Sequence, residues 1–143
     1  MFNNNIYLYK SRCKLQVIQS KYVNKNGERI GRGLVTINPI ELGEHIIDFQ
    51  GEVTNINVHD NYTIRLKKDN YLSCKSNAFS VPIKCIASMA NTANHLICPV
   101  TGKMLSSKDN NCQLVVRGNG AYLIASRNIE ANEELFFPYN FKL

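Results

Sequence analysis

Several features that would fix the class of this chain outright are missing from it. No apolar run reaches the ~20 residues of a membrane-spanning helix, and the Asn-rich start MFNNNIYLYK has no hydrophobic signal-peptide core. These two absences predict an intracellular protein with no membrane partner. The five cysteines, Cys13, Cys74, Cys85, Cys98 and Cys112, are odd in number and never form a C-x-x-C pair. That spacing argues against a zinc cluster and against a disulfide framework, and predicts free thiols in a reducing compartment with no metal site. No long helical pattern follows the glycines at 31 and 33, which excludes a Rossmann nucleotide-binding unit.

What is present suits one domain spanning residues 1–143. An apolar content of 44% is enough for a single core. Seventeen basic against eleven acidic side chains give a net charge of +6. Such a charge reads as a solvated basic surface that allows contact with nucleic acid or chromatin without demanding it.

Strand signals dominate. Leu15-Gln16-Val17-Ile18 alternates weakly, a polar loop over Asn24 to Arg29 follows, and Gly31-Arg32-Gly33-Leu34-Val35 comes next. Asn61 to Leu66 alternates as a half-buried strand, with Tyr71 to Cys74 as its partner across KKDN. Cys112 to Arg117 and Ala121 to Ser126 flank Gly118-Asn119-Gly120, a strong hairpin signal, and the apolar run Ala121 to Ala125 predicts burial on both faces. Small and apolar residues from Ile83 to Asn91 predict a short helix. The phrase Ile40-Glu41-x-x-Glu44-x-Ile46 returns as Ile129-Glu130-x-x-Glu133-x-Leu135, so a strand-turn-strand unit is built twice. Asn132 then stands where a turn would favour glycine, and asparagine is the best substitute at positive φ.

Three motifs in order give the chain a family likeness: Gly31-Arg32-Gly33-Leu34 with the Gly43-Glu44 turn, Ala93-Asn94-His95, and Glu133-Glu134-Leu135-Phe136-Phe137-Pro138-Tyr139. Together they span roughly residues 15–141 and resemble a SET domain, the β-rich protein-lysine methyltransferase fold that uses S-adenosylmethionine. The resemblance implies a mostly β fold of small curved sheets, a short helix, and a C-terminal segment threaded near the active site. It implies Tyr139 and Tyr62 as catalytic residues at the lysine, with Gly31, Arg32, Gly33, Leu34, Asn94 and His95 holding the cofactor. A lysine-bearing protein or peptide, a histone tail first, would be the substrate, and a chromatin substrate would place the protein in the nucleus. No metal is implied, and a homo-oligomer is allowed.

Three departures from the family pattern qualify that picture. The stretch 96–111 reads as a loop insertion that covers the substrate groove or is disordered. No cysteine-rich, zinc-bearing segment follows Tyr139, which leaves the lysine channel to be closed by other means. Leu114 replaces an aromatic that often limits the number of methyl groups, which suggests room for more than one. On residue types alone, Tyr139 could also be plain packing, Tyr62 a cross-strand partner, Asn94 a helix C-cap and His95 a surface histidine. The same fold could serve as an inactive module gripping peptide or chromatin. A cysteine enzyme built on Cys112 and His95 is the remaining alternative.

Overall fold

A computed structural model describes residues 6–8 and 13–139. The Asn-rich start and Asn140 to Leu143, with the expectations placed on them, lie outside the described residues. The described residues form three antiparallel sheets of three strands each, in the orders β1-β2-β3, β4-β9-β8 and β5-β7-β6. The strands are β1 (Ile6–Leu8), β2 (Lys14–Gln19), β3 (Arg32–Thr36), β4 (His45–Asp48), β5 (Glu52–Thr54), β6 (Thr63–Lys67), β7 (Asn70–Ser73), β8 (Cys112–Arg117) and β9 (Gly120–Ala125).

Period-2 patterning explains most of these elements. In β2, Leu15 and Val17 are fully buried while Gln16 and Ile18 are half-buried between them. In β4 the adjacent Ile46 and Ile47 are both buried, which a regular strand packed on one face does not do. A register shift against β9 between His45 and Ile47 supplies the required bulge. The β8–β9 hairpin turns at Gly118, which has φ 59°, as its sequence predicts. Burial on both faces of β9 is not observed: Ala121, Leu123 and Ala125 are buried, whereas Tyr122 and Ile124 are half-exposed. Its sheet has one packed face, so the apolar run alternates after all. Strand β5 carries no sequence pattern strong enough to predict it.

The helix expected over Ile83 to Asn91 is also revised. Only Ile86–Met89 are helical, as a single 3₁₀ turn, and a four-residue α-helix, α1, forms earlier at Lys75–Ala78. The N–H groups of Lys84 and Cys85 are both taken by the carbonyl of Asn77, and Ala90 is already extended. Those bonds tie the segment to α1 and leave no room for a longer helix.

The repeated strand-turn-strand phrase folds as two matching units that face each other. Ile40 and Ile129 exchange backbone hydrogen bonds of 2.9 and 2.8 Å. Gly43 donates to the carbonyl of Ala125 at 2.8 Å, and its counterpart Asn132 donates to that of Thr36 at 2.7 Å. In both turns a glutamate carboxylate, Glu44 or Glu133, reaches back to the N–H of Glu41 or Glu130. Gly43 sits at φ 83° and Asn132 at φ 69°. Asn132→Ala should therefore cost about 1–2 kcal/mol, since an L side chain without a local polar group resists this region. Asn132→Gly should be neutral within a few tenths; urea titration measures both.

After Ile129 the chain threads between elements far apart in sequence. Leu135 donates to Leu34 on β3, and Phe137 donates to the carbonyl of Asn91. Asn111 and Cys112 both donate to the carbonyl of Phe136. The side chain of Asn111, 1% exposed, clamps this segment by donating to the Glu134 carbonyl and accepting from the Phe136 N–H. Leu135 and Phe137 enter the main core beside Leu34, Ile47 and Leu123. Phe136 faces the other way, into a smaller cluster with Ala93, Leu96 and Leu105. Each such fully buried side chain contributes about 1.5–3 kcal/mol, which fixes where the segment must end up.

Candidate active site

Four of these elements meet around a cavity of about 900 Å³. The bend entering β3 contributes Gly31 and Arg32, and the approach to β6 contributes Asn61 and Tyr62. The connection from α1 to the 3₁₀ turn supplies Phe79 to Ile83, the turn itself Ser88 and Met89, and the C-terminal segment Tyr139. Asn91, just past the 3₁₀ turn, completes the wall facing the bend.

Tyr139 is held on two sides. Its hydroxyl donates to the carbonyl of Ala90 at 2.9 Å, and its ring packs edge-on against Phe137 with centroids 5.0 Å apart. Burial pushes its phenol well above the ordinary tyrosine range, helped by the neighbouring Tyr62 and Glu134. It therefore stays protonated at neutral pH and acts as a fixed donor rather than a base. Across the cavity Tyr62 packs edge-on against Phe79 at 5.1 Å, and the Arg32 guanidinium lies 5.2 Å from the same Phe79 ring. Phe79 is 53% exposed, so this stack forms the cavity's rim rather than its floor.

The two glycines of the bend are needed for different reasons. Gly31 adopts φ 90° with open space where a Cβ would stand, so its backbone conformation requires glycine. At Gly33 the constraint is crowding: an added Cβ would lie 2.5 Å from Oε2 of Glu134 and 3.3 Å from the Ser20 Cβ. Gly33 thus makes room for a glutamate rather than for a ligand. Gly33→Ala should cost about 1–3 kcal/mol in a thermal or urea melt, as overpacking generally does.

The predicted site residues separate into two groups. Gly31, Arg32, Tyr62 and Tyr139 converge on the cavity. Gly33 and the fully buried Leu34 lie behind it, in β3 and the core. Asn94 and His95 are exposed on a turn outside the lining, and His95 sits at φ 68° with its N–H donating to Leu105. The corner expected at Asn94 and His95 is occupied by Asn91. Its side-chain amide donates to the carbonyl of Arg32 at 2.8 Å and approaches Glu134 Oε2 at 3.4 Å, while its carbonyl accepts from Phe137. The sequence signal for Asn91 is its place directly after the apolar run, three residues before the Asn-His dipeptide. Leu114 packs against the core and does not line the cavity.

The segment 96–111 is structured and contributes no residue to this cavity. Ile97 pairs with both Val23 and Met104, Gly102 closes the turn at φ 76°, and a capped 3₁₀ turn follows at Ser107–Asp109. It packs against Tyr22 and Ile30 of the Ser20 to Gly31 loop through Leu96 and Leu105. All five cysteines are free and buried, and no group of three or more metal-ligating side chains occurs among the described residues.

The sequence profile of the SET domain matches residues 31–140. The chain belongs to the SET-domain family. SET domains are protein-lysine methyltransferases that take their methyl group from S-adenosylmethionine. Among solved structures, this SET domain superposes on ATXR5 in complex with a mono-methylated histone H3.1, at a TM-score of 0.60 and 22% identity over 88% of this chain. It also superposes on ctPRC2 in an autoinhibited conformation bound to S-adenosylmethionine, at a TM-score of 0.57 and 18% identity over 90% of this chain. At those identities the likeness carries the fold, and this SET domain spans 56% and 15% of the two chains. No curated protein matches it in sequence.

The cavity's chemistry fits the family cofactor. Its volume is in the range of small-molecule sites. Aromatic rings of Tyr62, Phe79 and Tyr139 stand around it, a suitable lining for an adenine and for a sulfonium cation. Asn91 and the Gly31–Arg32 backbone bring polar groups to one wall.

Proposed function

We propose that this SET domain is a protein-lysine N-methyltransferase that uses S-adenosylmethionine and acts on a histone tail. The observation that carries the reading is the convergence of Gly31, Arg32, Asn91, Tyr62 and Tyr139, from four separate chain segments, on one cavity. ATXR5, which shares the fold, is bound to a histone H3.1, and ctPRC2 is bound to S-adenosylmethionine.

S-adenosylmethionine, when bound, supplies a methyl group on a positively charged sulfur. The protein's task is to bring a neutral lysine amine in line with it and to keep water away. Deprotonating lysine at pH 7 costs about 4–5 kcal/mol, given an ordinary pKa near 10.4. A desolvated aromatic channel lowers that cost, because it disfavours the ammonium form. The lysine proton leaves to bulk water before transfer. Tyr139, protonated and tied to Ala90, orients the amine as a fixed polar contact; Tyr62 and Phe79 narrow the channel.

Incubation with labelled S-adenosylmethionine and core histones tests this. Label on a histone lysine supports the proposal. Peptide binding that needs no cofactor and shows no turnover would instead assign the fold to a recognition module.

A further inference from the structure

Glu134 lies directly behind the cavity wall, and the proposed mechanism makes no use of it. Its carboxylate sits where the threaded C-terminal segment crosses β3, paired through an isolated bridge to Val35. Oε1 accepts from the buried hydroxyl of Ser20 at 2.9 Å. Oε2 faces the amide of Asn91 at 3.4 Å and fills the space beside Gly33. Two of these neighbours are fixed in turn. Asn91 also donates to the carbonyl of Arg32, and Ser20 donates its own N–H to the carbonyl of Gly31. One carboxylate therefore reaches both ends of the bend that forms the cavity wall.

The same carboxylate is half-buried, between this wall and a second cavity that it also lines. Burial holds its carboxyl above the ordinary carboxylate range, against the downward pull of Ser20, Asn91 and Lys21. Its field is felt by the Tyr139 phenol, one of the cavity's own groups, and by Tyr22 on the other side. Of the cavity-lining residues, Arg32 alone is formally charged, and its guanidinium is turned out toward the rim ring of Phe79. A negative charge behind the wall acts through a low dielectric and favours a cation inside the cavity.

We propose that Glu134 is a specificity-determining residue, whose carboxylate positions Asn91 and the Arg32–Gly33 backbone and makes the cavity prefer the sulfonium form of the cofactor over its neutral thioether. The proposal rests on the reading that the cavity binds S-adenosylmethionine. S-adenosylmethionine and S-adenosylhomocysteine differ by one methyl group and the positive charge on sulfur. A purely structural Glu134 would alter both affinities alike, whereas a counter-charge alters their ratio. Preferring the charged donor over the spent product limits inhibition by that product.

Calorimetric titration of both ligands into the wild type and Glu134→Gln tests this. Gln keeps the shape, can accept from Asn91 and donate to Ser20, and removes the charge. The expected result is about a tenfold loss for S-adenosylmethionine against twofold or less for S-adenosylhomocysteine, tenfold being ~1.4 kcal/mol. Equal losses for the two ligands, or none, would overturn the proposal. Should the variant not fold, the ratio measured on the wild type from pH 7.5 down to about pH 4.5, the ordinary carboxylate value above which burial holds this carboxyl, replaces it. Lys21, Tyr22 and Tyr139 are the other charged or titratable groups facing Glu134, and the two phenols, held above the ordinary tyrosine range by burial, keep their protons throughout that window. Protonation of the raised carboxyl should then reduce the preference for the sulfonium, and a constant ratio would count against the idea. A wild type that binds neither ligand refutes the cofactor reading itself, a separate outcome from an unchanged ratio.

Discussion

Tyr139→Phe should reduce methyl transfer by about 100-fold or more while leaving cofactor affinity within a few fold. Removing a preorganised polar contact at a reacting centre generally costs this much. The ring's packing against Phe137 is retained, so the core is not opened. The structure also loses the donor to Ala90, a residue 1% exposed, whose carbonyl would be left without that partner. That should lower stability by about 1–3 kcal/mol, visible as a reduced melting temperature. Measuring transfer well below the melting transition separates the two effects. An unchanged turnover rate would remove Tyr139 from the site and reduce it to a packing residue.

Asn91→Ala should weaken binding of S-adenosylhomocysteine by tenfold or more. Two partners lose their contact at once: the Arg32 carbonyl at 2.8 Å and the Glu134 carboxylate at 3.4 Å. With hydrogen bonds to charged groups worth about 1.5–3 kcal/mol, freeing the bend carries a cost on that scale. Asn94→Ala and His95→Asn should change the same affinity by less than twofold, because both residues are exposed outside the cavity. Asparagine is the suitable replacement at His95, where φ is 68°. If Asn94→Ala abolished binding and Asn91→Ala did not, the cavity would not be the cofactor site.

The contrast between these two asparagines shows how the sequence was legible and where it misled. Motif spelling favours Asn94-His95, since a dipeptide can be read without knowing where the chain turns. Asn91 is chosen by geometry, because the 3₁₀ turn stops at Met89 and the threaded strand pairs with the chain at Asn91. The 83–91 stretch carries a helical composition, yet two hydrogen bonds donated by Lys84 and Cys85 to the carbonyl of Asn77 overrule it. Similarly, the glycine at 33 looked ready for a ligand, while the crowding atom beside it belongs to Glu134, a residue one hundred positions away in the chain.

Local chemistry alone settled a good deal. Alternating apolar residues specified β2, β6 and β7, the Gly-Asn-Gly turn specified the β8–β9 hairpin, and the repeated Ile-Glu phrase announced two matching turns, down to the positive φ of Asn132. These are short-range preferences, carried by side-chain period and by the steric limits on φ. Tertiary structure alone decided which asparagine faces the cavity, that 96–111 packs against Tyr22 and Ile30, and that Glu134 stands behind the wall. Each of those depends on where the segment from Ile129 to Tyr139 threads. That path is set by burying Leu135 and Phe137 against one core and Phe136 against another, a long-range contest that no local window of sequence contains.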